Sequence, residues 1–235
     1  MCNVCVVINV TEHCGSRHNP GGITPAYQRW SLTHLAMGSD MNQLALRIRR
    51  ACVADAEAIA AVHVTSWRET YIGLIPEGML AGLSVDERSS RWRRILGEPD
   101  PAVATAGFVA CVADETIVGF GSCGLQRSQD LVTAGFDGEF QAVYILRAAQ
   151  HRRVGHALMA EMARDLSSRG LRAGSLWVLE ENHPARGFYE ALGGRVVGRR
   201  DDQRGEGVIL AELAYGWTTL GPIGAARQGF RNGAT

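Results

Sequence analysis

The chain has 235 residues, 46% hydrophobic and 20% charged, with 24 Lys plus Arg against 24 Asp plus Glu. That length and balance fit a globular protein with one large domain, or one domain with appendages, and a sizeable core. The zero formal charge exerts no global pull toward nucleic acid or membrane, no apolar run reaches the roughly 18–20 residues of a membrane span, and the start lacks a signal peptide's basic region and long apolar run, so a cytoplasmic protein is expected.

Residues 1–45 show no sustained periodicity and carry Asn19-Pro20-Gly21-Gly22, so a poorly ordered N-terminal extension is expected, with Met41 as an alternative start. Cys2-x-x-Cys5 with His13, Cys14 and His18 has the residue types of a zinc site. The spacing matches no familiar finger, and no metal is expected. Cys111 and Cys123 lie in apolar, strand-like runs and read as small buried hydrophobes rather than disulfide partners.

From Leu46 the pattern becomes regular. Leu46-Arg47-Ile48-Arg49 alternates like a strand. A helix is predicted from about Asp55, with Ile59, Val62, His63 and Trp67 on one face and Asp55 and Glu57 in its first turn. A histidine on such a stripe reads first as a satisfied core residue. Gly73-Leu-Ile-Pro76 breaks the pattern, and Ser84-x-x-Glu87 is a capping box opening a helix with Arg88, Trp92 and Ile95. Phe108–Ala113 and Thr116–Cys123 flank Asp114-Glu115 as an antiparallel hairpin. The polar stretch 124–138 reads as a loop.

A strand over 139–146 follows, then a helix from about Gly155 to Ser168. Between them stands Arg152-Arg153-Val154-Gly155-His156-Ala157. A basic, glycine-containing turn at a helix N-terminus collects unsatisfied N–H groups and the positive end of the helix dipole, which suits a phosphate. No Lys follows Gly155 as a P-loop requires, and no GxGxxG surrounds it. Another strand runs over Ser175–Leu179. A short helix extends from Pro184 to the Gly193-Gly194 stop, and Arg195–Arg199 with Val208–Ala214 form a last hairpin. The order β-α-α-β-β-β-α-β-α-β-β describes a mixed sheet with helices on its faces.

In this order, four segments resemble the GNAT superfamily of N-acyltransferases. Glu139–Leu146 is similar to its fourth strand, and Arg152–Ala157 matches its pyrophosphate loop, [QR]-x-x-G-x-[GA]. Asn182 and Tyr189, seven residues apart within Asn182–Gly193, resemble its fifth-strand exit and next helix. Ser66–Tyr71 through Gly73-Leu-Ile-Pro76 resembles an acceptor-side segment of one bacterial subgroup. The resemblance implies an α/β fold (an α+β mixed sheet) of six to seven strands, helices on both faces, and a splay after the fourth strand. It spans a domain of about 46–220, leaving 221–235 as a tail.

The resemblance further implies acetyl-CoA as co-substrate and a primary amine of a small molecule or protein as acceptor; the oligomeric state stays open, with a homodimer as the general default. The backbone at Tyr144, Ile145 and Leu146 would pair with the pantetheine arm. Arg152, Arg153, Val154, Gly155, His156 and Ala157 would hold the pyrophosphate, where Gly155 permits close backbone approach. Asn182 would hold the arm or cap the helix before Pro184, or do both. Tyr189 would protonate the leaving thiolate, unless it is plain core on the face it shares with Ala185, Phe188 and Leu192. Trp177 stands where other members carry a fifth-strand Glu. That leaves Glu139, working through water, as the base, with His63 and Glu69 behind it. Trp67, Arg68, Tyr71 and Trp92 fall on the acceptor side. A non-catalytic acyl-CoA-binding module and a metal-stabilised interaction protein are the competing classes.

Overall fold

The computed structural model describes residues 46–204 and 207–225. The expected extension over 1–45, its Cys/His pattern and the tail beyond 225 lie outside them. Seven strands form one sheet: β1 (Arg47–Arg50), β2 (Ala106–Val112), β3 (Thr116–Leu125), β4 (Gly138–Ile145), β5 (Gly174–Leu179), β6 (Arg195–Arg204) and β7 (Val208–Trp217). Their spatial order is β1-β2-β3-β4-β5-β7-β6. Every pairing is antiparallel except β4 with β5, the one place where a helix returns the chain in the same direction.

That parallel pair decides the architecture. Only Gly138↔Gly174 and Glu139↔Ser175 are in register, and beyond Glu139 the two strands part. This is the expected splay, and it leaves a gap beside the second half of β4. On the other flank β4 stays paired with β3 through Gly119↔Ile145, with a shift in register between Ser122 and Cys123. The shift turns Phe140 and Val143 toward one layer and Ala142 and Tyr144 toward the other.

The two layers hold separate apolar clusters. Helix α5 (Val154–Ser168) and helix α6 (His183–Ala191) bury Leu158, Met162, Leu166, Phe188 and Tyr189 against one face. Gly121 permits the close approach of α5, since a Cβ there would lie 2.9 Å from Met162 Sδ. The other face carries α1 (Ala56–Tyr71), α2 (Glu77–Ala81) and α3 (Val85–Gly97), with Ile59, Val62, Trp67 and Trp92 inward. Both predicted amphipathic stripes pack as their spacing implied. Ser84 Oγ accepts from Glu87 N–H at 3.3 Å, so the serine half of the capping box forms. Cys111 and Cys123 are buried thiols.

Three short helices depart from the sequence reading: α2, which follows Pro76, one inside the polar stretch, and a last one at the start of the expected tail. The stretch read as loop contains α4 (Gln129–Thr133), which buries Leu131 against Phe136, Trp177 and Ala214. Five residues are too few to display a helical period, so only tertiary burial reveals this turn. A last short helix, α7 (Gly221–Ala225), lies against α5, where Arg164 Nε donates to Gly224 O at 3.3 Å.

Candidate active site

Consecutive residues of β4 wall two different cavities. Ile145 borders a groove of about 280 Å³ completed by Gln150, His151, Arg153, Val154, Gly155, His156 and Phe188. Tyr144 borders a smaller cavity of about 90 Å³ on the opposite face, together with His63, Arg88, Arg91, Trp92, Ile95, Thr105, Ser122, Arg127, Gln141 and Ala142. The period of two along a strand makes this division unavoidable once both faces are covered.

The groove gathers the basic turn. Arg153 caps α5 in the left-handed region at φ 62°, and His151 does the same at 61°. Ala157 N–H donates to Arg153 O at 3.0 Å, which leaves the N–H groups of the three residues before it without a carbonyl inside α5. Arg152, Arg153 and His156 are exposed, whereas Val154 and Gly155 are buried. His156 stands edge-on to Phe188 at 5.0 Å between ring centroids. Partial burial and the neighbouring Arg153 lower its proton affinity.

The backbone of β4 divides the three positions assigned to a pantetheine arm. Leu146 N–H donates to Val118 O on the β3 side at 3.0 Å. By strand alternation Tyr144 turns its main chain the same way, toward its register partner Phe120. Val143 and Ile145 therefore turn theirs to the gap, where Gln150 Nε2 already donates to Ile145 O at 3.2 Å. This corrects the expectation for Tyr144 and Leu146, whose main chains turn to the β3 side, and leaves Val143 and Ile145 facing the gap.

Asn182 is buried and accepts from Ala185 N–H at 3.3 Å, so the capping role is realised. Tyr189 is fully buried on α6, next to the groove-lining Phe188 and with Tyr215 and Trp217 around its ring. Glu139 is 1% exposed and held by both ends of Arg127, whose Nε donates to Oε2 at 2.8 Å and whose other nitrogen donates to Oε1 at 3.3 Å. Glu69 accepts from Arg147 N–H at 2.8 Å, just beyond β4.

His63 corrects the reading of a satisfied core histidine. It is buried and stacked on Tyr144 at 4.6 Å, yet neither ring nitrogen has a hydrogen-bond partner among the described residues. Burial, reinforced by Arg88 and Arg91, holds its proton affinity well below the ordinary 6.5, so the imidazole is neutral with a lone pair in the cavity wall. Trp92 is both core and cavity wall, and Trp67 and Tyr71 are core. Arg68 donates to Leu83 O.

Several residues escaped the sequence reading. Arg127, Thr105, Ser122 and Gln141 lie in different elements, and only the fold assembles them. Trp177 carries the Arg200 guanidinium over its ring at 4.2 Å. Arg200 in turn binds Glu212 of β7, a fully buried carboxylate whose proton affinity burial raises despite that partner. No periodicity marks such cross-strand partners.

The family described as Acetyltransferase (GNAT) family matches residues 68–194. The chain is 35% identical over 178 residues to the uncharacterized N-acetyltransferase YuaI of Bacillus subtilis (strain 168), an alignment covering 75% of this chain and 95% of that one. It is 23% identical over 155 residues to spermidine N(1)-acetyltransferase of Thermoplasma acidophilum, covering 65% and 90% of the two chains. In fold it is similar to the acetyltransferase yncA of Salmonella typhimurium, solved with acetyl-CoA, with a TM-score of 0.56, 18% identity and 74% and 94% coverage.

Proposed function

The chain belongs to the acetyltransferase (GNAT) family and is an N-acetyltransferase, and on that premise we propose that it moves an acetyl group from acetyl-CoA to a primary amine by direct attack in a ternary complex. The observation that carries this reading is the division of β4, with a groove bordered by the basic turn at Ile145 and a second cavity, on the opposite face, at Tyr144. Two substrates entering from opposite faces meet at the gap where β4 and β5 part.

The pyrophosphate lies on the N–H groups of Val154, Gly155 and His156, beside Ala157, whose own N–H donates to Arg153 O at 3.0 Å, with Arg152 and Arg153 adding charge-assisted contacts. The pantetheine arm fills the gap as an added strand against Val143 and Ile145, beside Tyr144 and Leu146. The Ile145 N–H polarises the thioester carbonyl, where a donor in a water-poor site counts most. Asn182 steadies the arm from its capped position.

Glu139 receives the amine's proton through water. The nitrogen lone pair then attacks the carbonyl carbon, the C–S bond breaks, Tyr189 O–H protonates the departing thiolate, and the second proton shed by the acylated nitrogen returns through water to the Tyr189 oxygen. The same reading places the protein in the cytoplasm as a homodimer. Calorimetric titration with acetyl-CoA tests it, together with thiol release over a panel of amines. Binding and turnover are expected. Gly155→Leu puts a side chain where the pyrophosphate would lie, and about tenfold or greater loss of affinity is expected with an unchanged circular dichroism spectrum. A folded sample that binds no acetyl-CoA overturns the reading.

A further inference from the structure

Buried polar atoms without a hydrogen-bond partner among the described residues gather on the α1–α3 side of the sheet. They include both ring nitrogens of His63, Gln141 Nε2, Trp67 Nε1 and Ser89 Oγ. A buried polar atom left unpaired is costly, so each one calls for an explanation. His63 and Gln141 share one, because both border the cavity of about 90 Å³ at Tyr144.

Gln141 reaches that cavity because β4 bulges there. Ser122 pairs with Ala142 and Cys123 with Phe140, so Gln141 is the extra residue between them. Bulges of this kind re-aim a side chain beside a site. Gln141 Oε1 accepts from Thr105 Oγ1 at 3.0 Å, which ties one end of the amide and leaves the other for a polar occupant. His63 is held differently. Its ring stacks on Tyr144 at 4.6 Å between centroids, with Phe120 and Trp67 at 5.6 and 5.7 Å. Three aromatic neighbours fix the imidazole in place without using its nitrogens. Burial keeps it neutral, so one nitrogen carries a proton and the other a lone pair. Tyr144, on which it stacks, precedes Ile145, whose main chain faces the gap between β4 and β5.

We infer that His63 is a further catalytic residue, whose imidazole accepts a hydrogen bond from the attacking amine nitrogen and holds that nitrogen toward the thioester. The inference rests on the acetyl-transfer reading above and assigns the group that touches the amine in it. As the nitrogen lone pair forms the new N–C bond, the nitrogen gains positive charge and its N–H becomes a stronger donor. The hydrogen bond to His63 therefore tightens in the transition state, and an interaction of that kind raises kcat. No proton moves to the ring. The first proton leaves through water to Glu139 and the second returns to Tyr189, so His63 is uncharged throughout.

The test measures thiol release from acetyl-CoA by the full chain with the amine it acetylates fastest. His63→Phe keeps a ring on Tyr144 and removes both nitrogens. Its kcat is expected to fall about 10- to 100-fold, with acetyl-CoA affinity unchanged by calorimetry. His63→Ala leaves room for a small ring, so it reads out the lone pair even if the phenylalanine variant packs poorly. Added imidazole is expected to restore its kcat several-fold, whereas pyrrole, which has an N–H but no basic lone pair, restores none. A folded His63→Phe within about twofold of the wild-type kcat, or imidazole no better than pyrrole in His63→Ala, overturns the inference and leaves acetyl transfer standing. Acetyl-CoA binding by the wild type with no transfer to any amine overturns both.

Discussion

At the scale of single residues, roles differ in what holds them. Tyr189 is packed among aromatic rings on several sides. Tyr189→Phe keeps that packing and removes only the hydroxyl. The expected result is a fall in kcat of about 10²-fold with unchanged acetyl-CoA affinity by calorimetry. Glu139 is fixed by a forked ion pair to Arg127, which keeps its carboxylate in one orientation inside the sheet. His63 was legible as a helix-face residue but not as a cavity residue. Its hydrogen-bond state depends on Tyr144, Phe120 and Arg88, which lie 81, 57 and 25 positions away in the chain.

At the scale of elements, the start of α1 is tied to β1 by a paired clamp. Arg49 donates to both oxygens of Asp55 at 2.7 and 2.8 Å, and Cys52 N–H donates to Asp55 at 2.8 Å. These contacts, led by the Arg49 hydrogen bonds, lower the Asp55 pKa from 3.8 to about 2. The unfolded chain therefore takes up a proton on Asp55 before the folded one does. The clamp contributes fully above pH 4, and its stabilisation is lost as pH falls from about 4 to about 2. Asp55→Asn is expected to cost about 1–3 kcal/mol at neutral pH and to flatten that acid limb, read from urea unfolding at successive pH values. The main strands and long helices were all legible, because each repeats its period several times. Helix α4 was not, because Leu131 is its single buried residue.

At the scale of the whole molecule, the sheet separates two chemistries. The α5–α6 face carries the groove at Ile145, and the α1–α3 face carries the cavity at Tyr144. The cavity leaves a trace in global stability, because folding places His63 where a charge is costly. Its imidazole takes up a proton near pH 6.5 when unfolded and only well below that when folded. The unfolded state thus binds more protons as pH drops. Stability is full above about 6.5 and declines below it. The expected outcome is a Tm that falls between about pH 7.5 and about pH 5.5, with a shallower fall in His63→Gln, measured by differential scanning calorimetry.

The chain's own sequence determined the order of the strands and long helices, the place of the basic turn and the spacing of Asn182 and Tyr189. Those features are local: each is written in a run of adjacent residues as periodicity, capping chemistry or motif spacing. Tertiary structure alone decided which backbone groups of β4 face the gap, how His63 is left, and the gathering of Arg88, Arg91, Arg127 and Gln141 around one cavity. Register shifts and side-chain gatherings depend on contacts between residues far apart in the chain. No local pattern records them, because the partners in each contact are brought together only when distant segments of the chain pack on the two faces of the sheet.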